Sequence, residues 1–419
     1  MKRALTSSTS TKRWVEKIQA RVFCPETEGL GGNPVTIFAP LNIEGDDNND
    51  TNHDDPTINI LSPEIQAQLA RTCSWESVMV NPILTTTNSS NSTTSMTPQK
   101  QLSFYMPTGQ EVSFCAHAAM AGAIRVADEL EQETALHCRM LMDEDDTNKN
   151  NKNTSQSLSS SPSYSATVHA DDIVTLHISH APYTQTPVSE PALLYRILRE
   201  HCHLQLPDLE IPEEFVEQVP TFVHASVARP KTLVFVRNLT ILNNICQAPD
   251  NPQLFQRALR ALDNTTGLYI YAPHPDLDGA YACRQFPIAS GYPEDPATGI
   301  AAAALAAALD RDLPYMKIFQ GDALGKPSLL LVEDLVKKTS SSGKEEEDTE
   351  EEPPTATEPD NKTNNNDDDD GAEPYEPRAS TYHDIQSISM PQAETATVSY
   401  KLLGKMEIDE TEEICIDDL

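Results

Sequence analysis

Apolar and polar residues alternate over Trp14–Phe23 (WVEKIQARVF), the two-residue period of a strand with one covered face. The chain then passes through the glycine-rich turn GLGGNP into the apolar run VTIFA, a second strand. Ser62 followed by Pro63 and EIQAQLAR has the form of a short helix, with Ser62 as N-cap and Pro63 at the first helical position. Trp75-Glu76-Ser77 leads directly into the strand VMVNPIL. Leu102–Leu130 (LSFYMPTGQEVSFCAHAAMAGAIRVADEL) predicts a strand, a Pro-Thr-Gly turn, a short second strand and a helix of small residues. Tyr281–Leu309 (YACRQFPIASGYPEDPATGIAAAALAAAL) follows the same order. Aligning Met106-Pro107 with Phe286-Pro287 without a gap sets Cys115 on Asp295 and AHAAMAGAI on ATGIAAAAL. We read this as an internal duplication. A helix as apolar on every side as Gly299–Leu309 must be buried all round. Its unpaired N-terminal amides and the positive end of its dipole then form a ready site for an anion. The two helix starts are expected to face each other across a cleft between two halves.

Four stretches break these patterns. Residues 42–56, 85–101, 143–165 and 337–378 are rich in Asn, Ser, Asp and Glu and too poor in apolar residues to offset the entropy of ordering them. They read as disordered inserts in a smaller fold. The resulting division is a flexible 1–13, an N-terminal half over 14–185, a C-terminal half over 186–408 and an acidic tail over 409–419.

The 419 residues carry a formal charge of −34, part of it in the last insert. That charge opposes binding to nucleic acid and to anionic membrane surfaces. No apolar stretch reaches the ~20 residues of a membrane span. MKRALTSSTSTKR has the composition of an organelle transit peptide, but few residues precede the first strand, so a cytoplasmic protein is expected. Eight cysteines without C-x-x-C spacing suit reduced thiols. His201-Cys202-His203 lacks a companion cluster at zinc spacing and reads as a surface loop, so no metal is expected.

Three residues near the helix starts have proton-transfer chemistry. Glu76 sits among apolar and hydroxyl residues, where desolvation raises a carboxyl pKa toward the range of a general base. His117, in the first turn of the first helix, can donate to or accept from a substrate as neutral imidazole, although a lone histidine on an apolar helix is more often a satisfied core residue. Asp295 can cap the second helix, and it can also hold a substrate amine or hydroxyl.

GGNPVTIF, SFYMPTGQEVSFCAHAAMAGA, GYPEDPATGIAAAALAAAL and FQGDALGKPSLLLVE resemble, in this order, the signature segments of the PhzF-like phenazine biosynthesis family. WES stands where that family usually has Ser-Glu-Thr, and TVSYKLLGKMEI resembles its final strand. The resemblance spans about residues 15 to 335. It implies an α+β fold like that of diaminopimelate epimerase, with two similar mixed β-barrels, each wrapped around a central helix, and the active site between them. It implies cofactor-free isomerisation of a small cyclic or unsaturated carboxylate, with Glu76 as the base and His117 and Asp295 orienting substrate and shuttling protons. The amides of Ala116, Gly299 and Ile300 would hold the substrate carboxylate. Related folds often pair, so a homodimer is expected. The chain departs from the family pattern at Ala116, which replaces a glycine, at Trp75, and at Ile300, which replaces a serine. Two other readings stay open: a two-base amino-acid racemase using Cys115, and an inactive scaffold that recruits a partner through its acidic loop.

Overall fold

In the computed structural model, residues 13–27, 29, 31–41, 61–82, 100–112, 114–130, 135–138, 163–169, 171–211, 219–245, 252–288, 290, 292–309, 315–339 and 393–418 are described. The cores of all four inserts lie outside them.

The N-terminal half begins with β1 (Trp14–Cys24) and β2 (Asn33–Pro40). α1 (Pro63–Ala70) then crosses over to β3 (Ser77–Pro82), which pairs parallel with β2. A parallel pair needs such a crossover, because a tight turn cannot reverse the chain twice. Ser62 is the N-cap of α1 with Pro63 at its first position, although the Ser62 hydroxyl caps no backbone amide. β4 (Lys100–Tyr105), β5 (Glu111–Val112) and the buried helix α2 (Ala116–Leu130) follow, then β6 (Ala135–Cys138), β7 (Ser163–Val168) and β8 (Ile173–Pro187). The Pro107-Thr108-Gly109 turn is closed by the Gln110 carbonyl, which accepts from the Met106 amide at 2.9 Å, with Gly109 left-handed at φ 80°.

The C-terminal half contains α3 (Pro191–His201), β9 (Val223–Ser226), β10 (Lys231–Phe235), α4 (Leu239–Asn244), α5 (Pro252–Leu259), β11 (Gly267–Pro273) and β12 (Ala280–Pro287). Next come α6 (Gly299–Leu309), β13 (Tyr315–Gln320), β14 (Ser328–Thr339) and β15 (Glu394–Cys415). Strands β8 to β15 pair in sequence order, and β15 returns to β8, closing an eight-stranded barrel. Within it β10–β11 and β12–β13 are parallel. The β12–β13 crossover is α6, whose residues are buried except Ala308. Alanine suits that place because a barrel this narrow leaves little radius for a helix and its side chains.

The expected α+β architecture of mixed strands around Ala-rich helices is therefore present, with two refinements. First, the two halves share strands: β8 pairs with β7 through its first part and with β9 through its last, running across the 185/186 boundary. Second, the N-terminal array β5-β4-β3-β2-β1-β15-β8-β7-β6 curves around α2 without a hydrogen-bonded seam between β5 and β6 among the described residues.

Several expected boundaries move. β4 begins at Lys100, β7 at Ser163, and β14 runs to Thr339, so three inserts are shorter than composition indicated. Strand pairing uses backbone groups, which polar residues supply as well as apolar ones. The acidic tail over 409–419 is corrected more thoroughly. β15 continues to Cys415 and pairs antiparallel with β1, from Ala20↔Ile408 to Trp14↔Cys415. Its acids meet the basic face of β1: Lys17 pairs with Glu412 at 2.5 Å, Arg21 with Asp409 and Glu407 at 2.8 Å each, and Arg13 with Asp417 at 3.0 Å. His201-Cys202-His203 is likewise not a plain surface loop, because His201 ends α3 and Cys202 is buried. Among the described residues no three metal-ligating side chains converge.

Candidate active site

The approach to α6 sets Asp295. An isolated bridge, in which the Asp295 amide donates to the Gln285 carbonyl at 2.9 Å, takes the place that β5 has before α2. The Asp295 carboxylate is nearly saturated. Oδ1 accepts from Asn33 Nδ2 at 2.9 Å and the Ala297 amide at 3.2 Å, and Oδ2 accepts from the Thr298 hydroxyl at 2.7 Å. Gln320 Nε2 donates to the Asp295 carbonyl at 2.7 Å. Asp295 thus ties the turn before α6 together, while the amides of Gly299 and Ile300 take no acceptor among the described residues. Burial and the nearby Glu76 raise the Asp295 carboxyl to about 6.

Glu76, at the entry to β3, is buried, and that burial raises its pKa. Its Oε1 accepts from the Tyr292 hydroxyl at 2.5 Å, which favours the charged form, while Oε2 has no hydrogen-bond partner. His117, in the first turn of α2, places Nε2 3.9 Å from that Oε2 and Nδ1 3.4 Å from Cys115 Sγ. Burial drives the imidazole down to about 4, so it is neutral at pH 7. Burial, reinforced by Glu76, pushes the Cys115 thiol up, which opposes a thiolate there. Glu76, His117 and Asp295 are all buried, and the charge of Asp295 is felt by His117 and that of Glu76 by Asp295.

The helix starts also meet: a β-carbon on Gly299 would lie 3.1 Å from Ala116 Cβ. Contact replaces the open cleft expected between them. The Ile300 side chain joins the apolar core, where packing absorbs its extra bulk. Trp75 packs against Tyr292 with ring centroids 5.1 Å apart and planes tilted by 45°, and Lys326 Nζ sits 4.0 Å from the centre of the indole. The substitution at Trp75 thus covers the residue that holds Glu76. A pocket of about 330 Å³ on the β11–β12 hairpin, lined by His274, Asp278 and Tyr281 among others, includes none of these groups.

Four further residues reach the site from elsewhere. Asn33 and Tyr292 lie inside the GGNP and GYPEDP segments, where a buried polar side chain beside glycines was the available signal. Arg229 and Lys231 come from the turn and strand ARPKTLVF, in which a lysine opens an otherwise apolar strand. Arg229 Nη2 donates to the Phe114 carbonyl at 3.3 Å. Lys231 is buried, and burial, reinforced by Arg229, lowers its ammonium to about 7.

Among solved structures, a PhzF-family phenazine biosynthesis protein from Bacillus anthracis is similar to this chain with a TM-score of 0.55 and 14% identity, covering 96% of this chain and 99% of that one. A predicted epimerase from Pseudomonas aeruginosa is similar with a TM-score of 0.52, 16% identity and the same coverage. At such identities the likeness is one of fold. No curated protein sequence matches. The family model described as phenazine biosynthesis-like protein (PhzC-PhzF) matches residues 83–348, more than half of the 419, and takes in His117 and Asp295 with both central helices; the chain belongs to that family.

Proposed function

We propose that the protein is a cofactor-independent isomerase of a small cyclic or unsaturated carboxylate. The observation that carries this reading is the arrangement at Glu76. One carboxylate oxygen is held by Tyr292, and the other is buried without a hydrogen bond 3.9 Å from a neutral imidazole. A buried carboxyl with its pKa raised is matched to removing a proton from an activated carbon near neutral pH. Glu76 takes that proton. His117, a neutral imidazole beside it, relays the proton: one ring nitrogen accepts it from Glu76 as the other releases its own to the second position of the substrate, so no buried imidazolium is left. Asp295 orients the substrate from the opposite helix start, and the amides of Ala116, Gly299 and Ile300 face its carboxylate. Stabilising the developing negative charge with fixed dipoles needs no rearrangement during the reaction.

The membership in a family described as phenazine biosynthesis-like, together with a fold neighbour named as a predicted epimerase, supports proton-transfer isomerisation over an inert scaffold. The racemase reading needs two thiols or an equivalent pair. Here a thiol with raised pKa stands at Cys115 and a carboxylate at Asp295.

The test offers carboxylated cyclohexadienes, such as a dihydro-hydroxyanthranilate, to the protein in deuterium oxide. The wild type incorporates deuterium, and Glu76→Gln loses at least 10²-fold of that rate. If Cys115→Ser abolishes exchange while Glu76→Gln spares it, the racemase reading replaces this one. No exchange with any such acid that binds sinks the isomerase reading.

A further inference from the structure

Two cations enter the site from the β9–β10 hairpin. β10 opens at Lys231, and strand alternation puts Lys231 on the face of Leu233 and Phe235, both packed in the core with α6. Ala225, its cross-strand partner, is in that core too. Thr232 turns the other way, to His224, with Oγ1 3.0 Å from Nδ1. The Lys231 side chain therefore runs inside the barrel at the strand's start. It is 5% exposed and makes no hydrogen bond or ion pair among the described residues. An unpaired buried ammonium is strongly disfavoured unless an anion completes it.

Arg229, half-buried two residues earlier, reaches from the C-terminal half to the Phe114 carbonyl, next to Cys115 and the start of α2. Its charge acts on Glu76, His117 and Cys115, and that of Lys231 interacts with Glu76 and Asp295. These charges act on one another around the two helix starts. No contact ion pair joins them among the described residues: the Asp295 oxygens are engaged by Asn33, Ala297 and Thr298, and neither Asp295 nor Glu76 lies within ion-pair distance of either cation. The helix-start amides supply dipoles but no formal charge.

We propose that Arg229 and Lys231 are the charged half of the substrate's anion site, binding the carboxylate of a small ring acid that the helix-start amides also face. The pair selects anionic ring compounds over neutral ones of the same shape. The identity of the ligand rests on the isomerase reading, whereas the anion site itself is read from the burial and lack of partners at Lys231.

Benzoate and its neutral isostere benzamide are the probes, with binding to the full chain followed by calorimetry. The wild type is expected to bind benzoate at least tenfold more tightly than benzamide. Lys231→Met weakens benzoate about 10- to 100-fold, the scale of one charge-assisted hydrogen bond, and changes benzamide by less than about twofold. Arg229→Gln, at a half-exposed turn position that does not threaten folding, weakens benzoate in the same sense and serves if Lys231→Met fails to fold. Equal affinity for the two probes, absence of benzoate binding, or unchanged benzoate affinity in both variants overturns the proposal. Deuterium exchange separates it from the isomerase reading. Wild type that binds benzoate through Lys231 but exchanges with no acid keeps the anion site and loses the isomerase. Exchange with benzoate affinity unchanged in both variants does the reverse.

Discussion

Lys231 shows how a single residue trades stability for a site. Its ammonium has a pKa of 10.5 in the unfolded chain and about 7 in the fold, where burial and then Arg229 disfavour the charge. Below pH 7 both states hold the proton, so the whole shift opposes folding, by on the order of 3–5 kcal/mol before relaxation. Between pH 7 and 10.5 the unfolded chain binds more protons, so this opposition fades as pH rises, and above 10.5 it is gone. Lys231→Met is therefore expected to be more stable than wild type at pH 7, by about 1–3 kcal/mol after relaxation, with the advantage shrinking toward pH 10.5. Urea unfolding of both proteins at several pH values measures it, and an advantage that does not change with pH would show that Lys231 is not desolvated. Such residues were hard to read from the sequence. Glu76, His117 and Asp295 stood out because each adjoins a recognisable strand or helix start. Arg229 and Lys231 adjoin no such motif, and Tyr292 acquires its role only when its hydroxyl meets a carboxylate 216 positions away.

The glycine-rich loop between β1 and β2 explains how one element brings a site residue into register. Gly31 and Gly32 are left-handed at φ 78° and 84°, and the Gly32 amide donates to the Pro327 carbonyl at 3.0 Å. This contact with the turn before β14 delivers Asn33 to Asp295. A β-carbon at Gly31 would fall 1.7 Å from the Pro327 oxygen, a backbone atom that cannot rotate away. Gly31→Ala is expected to destabilise by about 2 kcal/mol or more, combining φ strain with that clash. Gly29 supplies an internal control, because it is also left-handed, at φ 75°, but has open space around its Cα. Gly29→Ala should lose only the conformational part, about 1 kcal/mol. Thermal unfolding of the two variants compares them directly, and equal losses would mean that the loop retracts from Pro327. At this scale the sequence was informative where periodicity or small-residue content was strong, as in β1, α2 and α6. It was less so in β12, whose residues Ala280–Pro287 are all buried, because a strand covered on both faces shows no alternation.

Across the whole molecule, the two halves are joined by β8 and β15, and the largest misreading concerns the end of β15. Residues 409–419 carry so many carboxylates that composition alone describes a solvated tail. Pairing with β1 changes their meaning. Trp14 to Gln19 lie opposite Cys415 to Glu410, Val15 and Ile416 are buried together under Phe38 and Leu69, and the acids on the outer face sit across from Arg13, Lys17 and Arg21. The exposed ion pairs contribute little individually, because solvent and salt screen them. What the segment supplies is a row of backbone hydrogen bonds and the cover over one apolar cluster. Deleting residues 409–419 would leave the first half of β1 as an open edge on that side and uncover Val15, exposing a template for intermolecular pairing. The expected result is a loss of several kcal/mol in urea unfolding, with aggregation as temperature rises, although no residue of the candidate site is removed. Reversing charge alone, with Glu410→Lys and Glu412→Lys, should change stability by less than about 1 kcal/mol. Size-exclusion chromatography and unfolding of the two variants separate the roles: a harmless deletion would return the segment to an acidic tail, and a harmful one with tolerated charge reversal assigns it to the sheet.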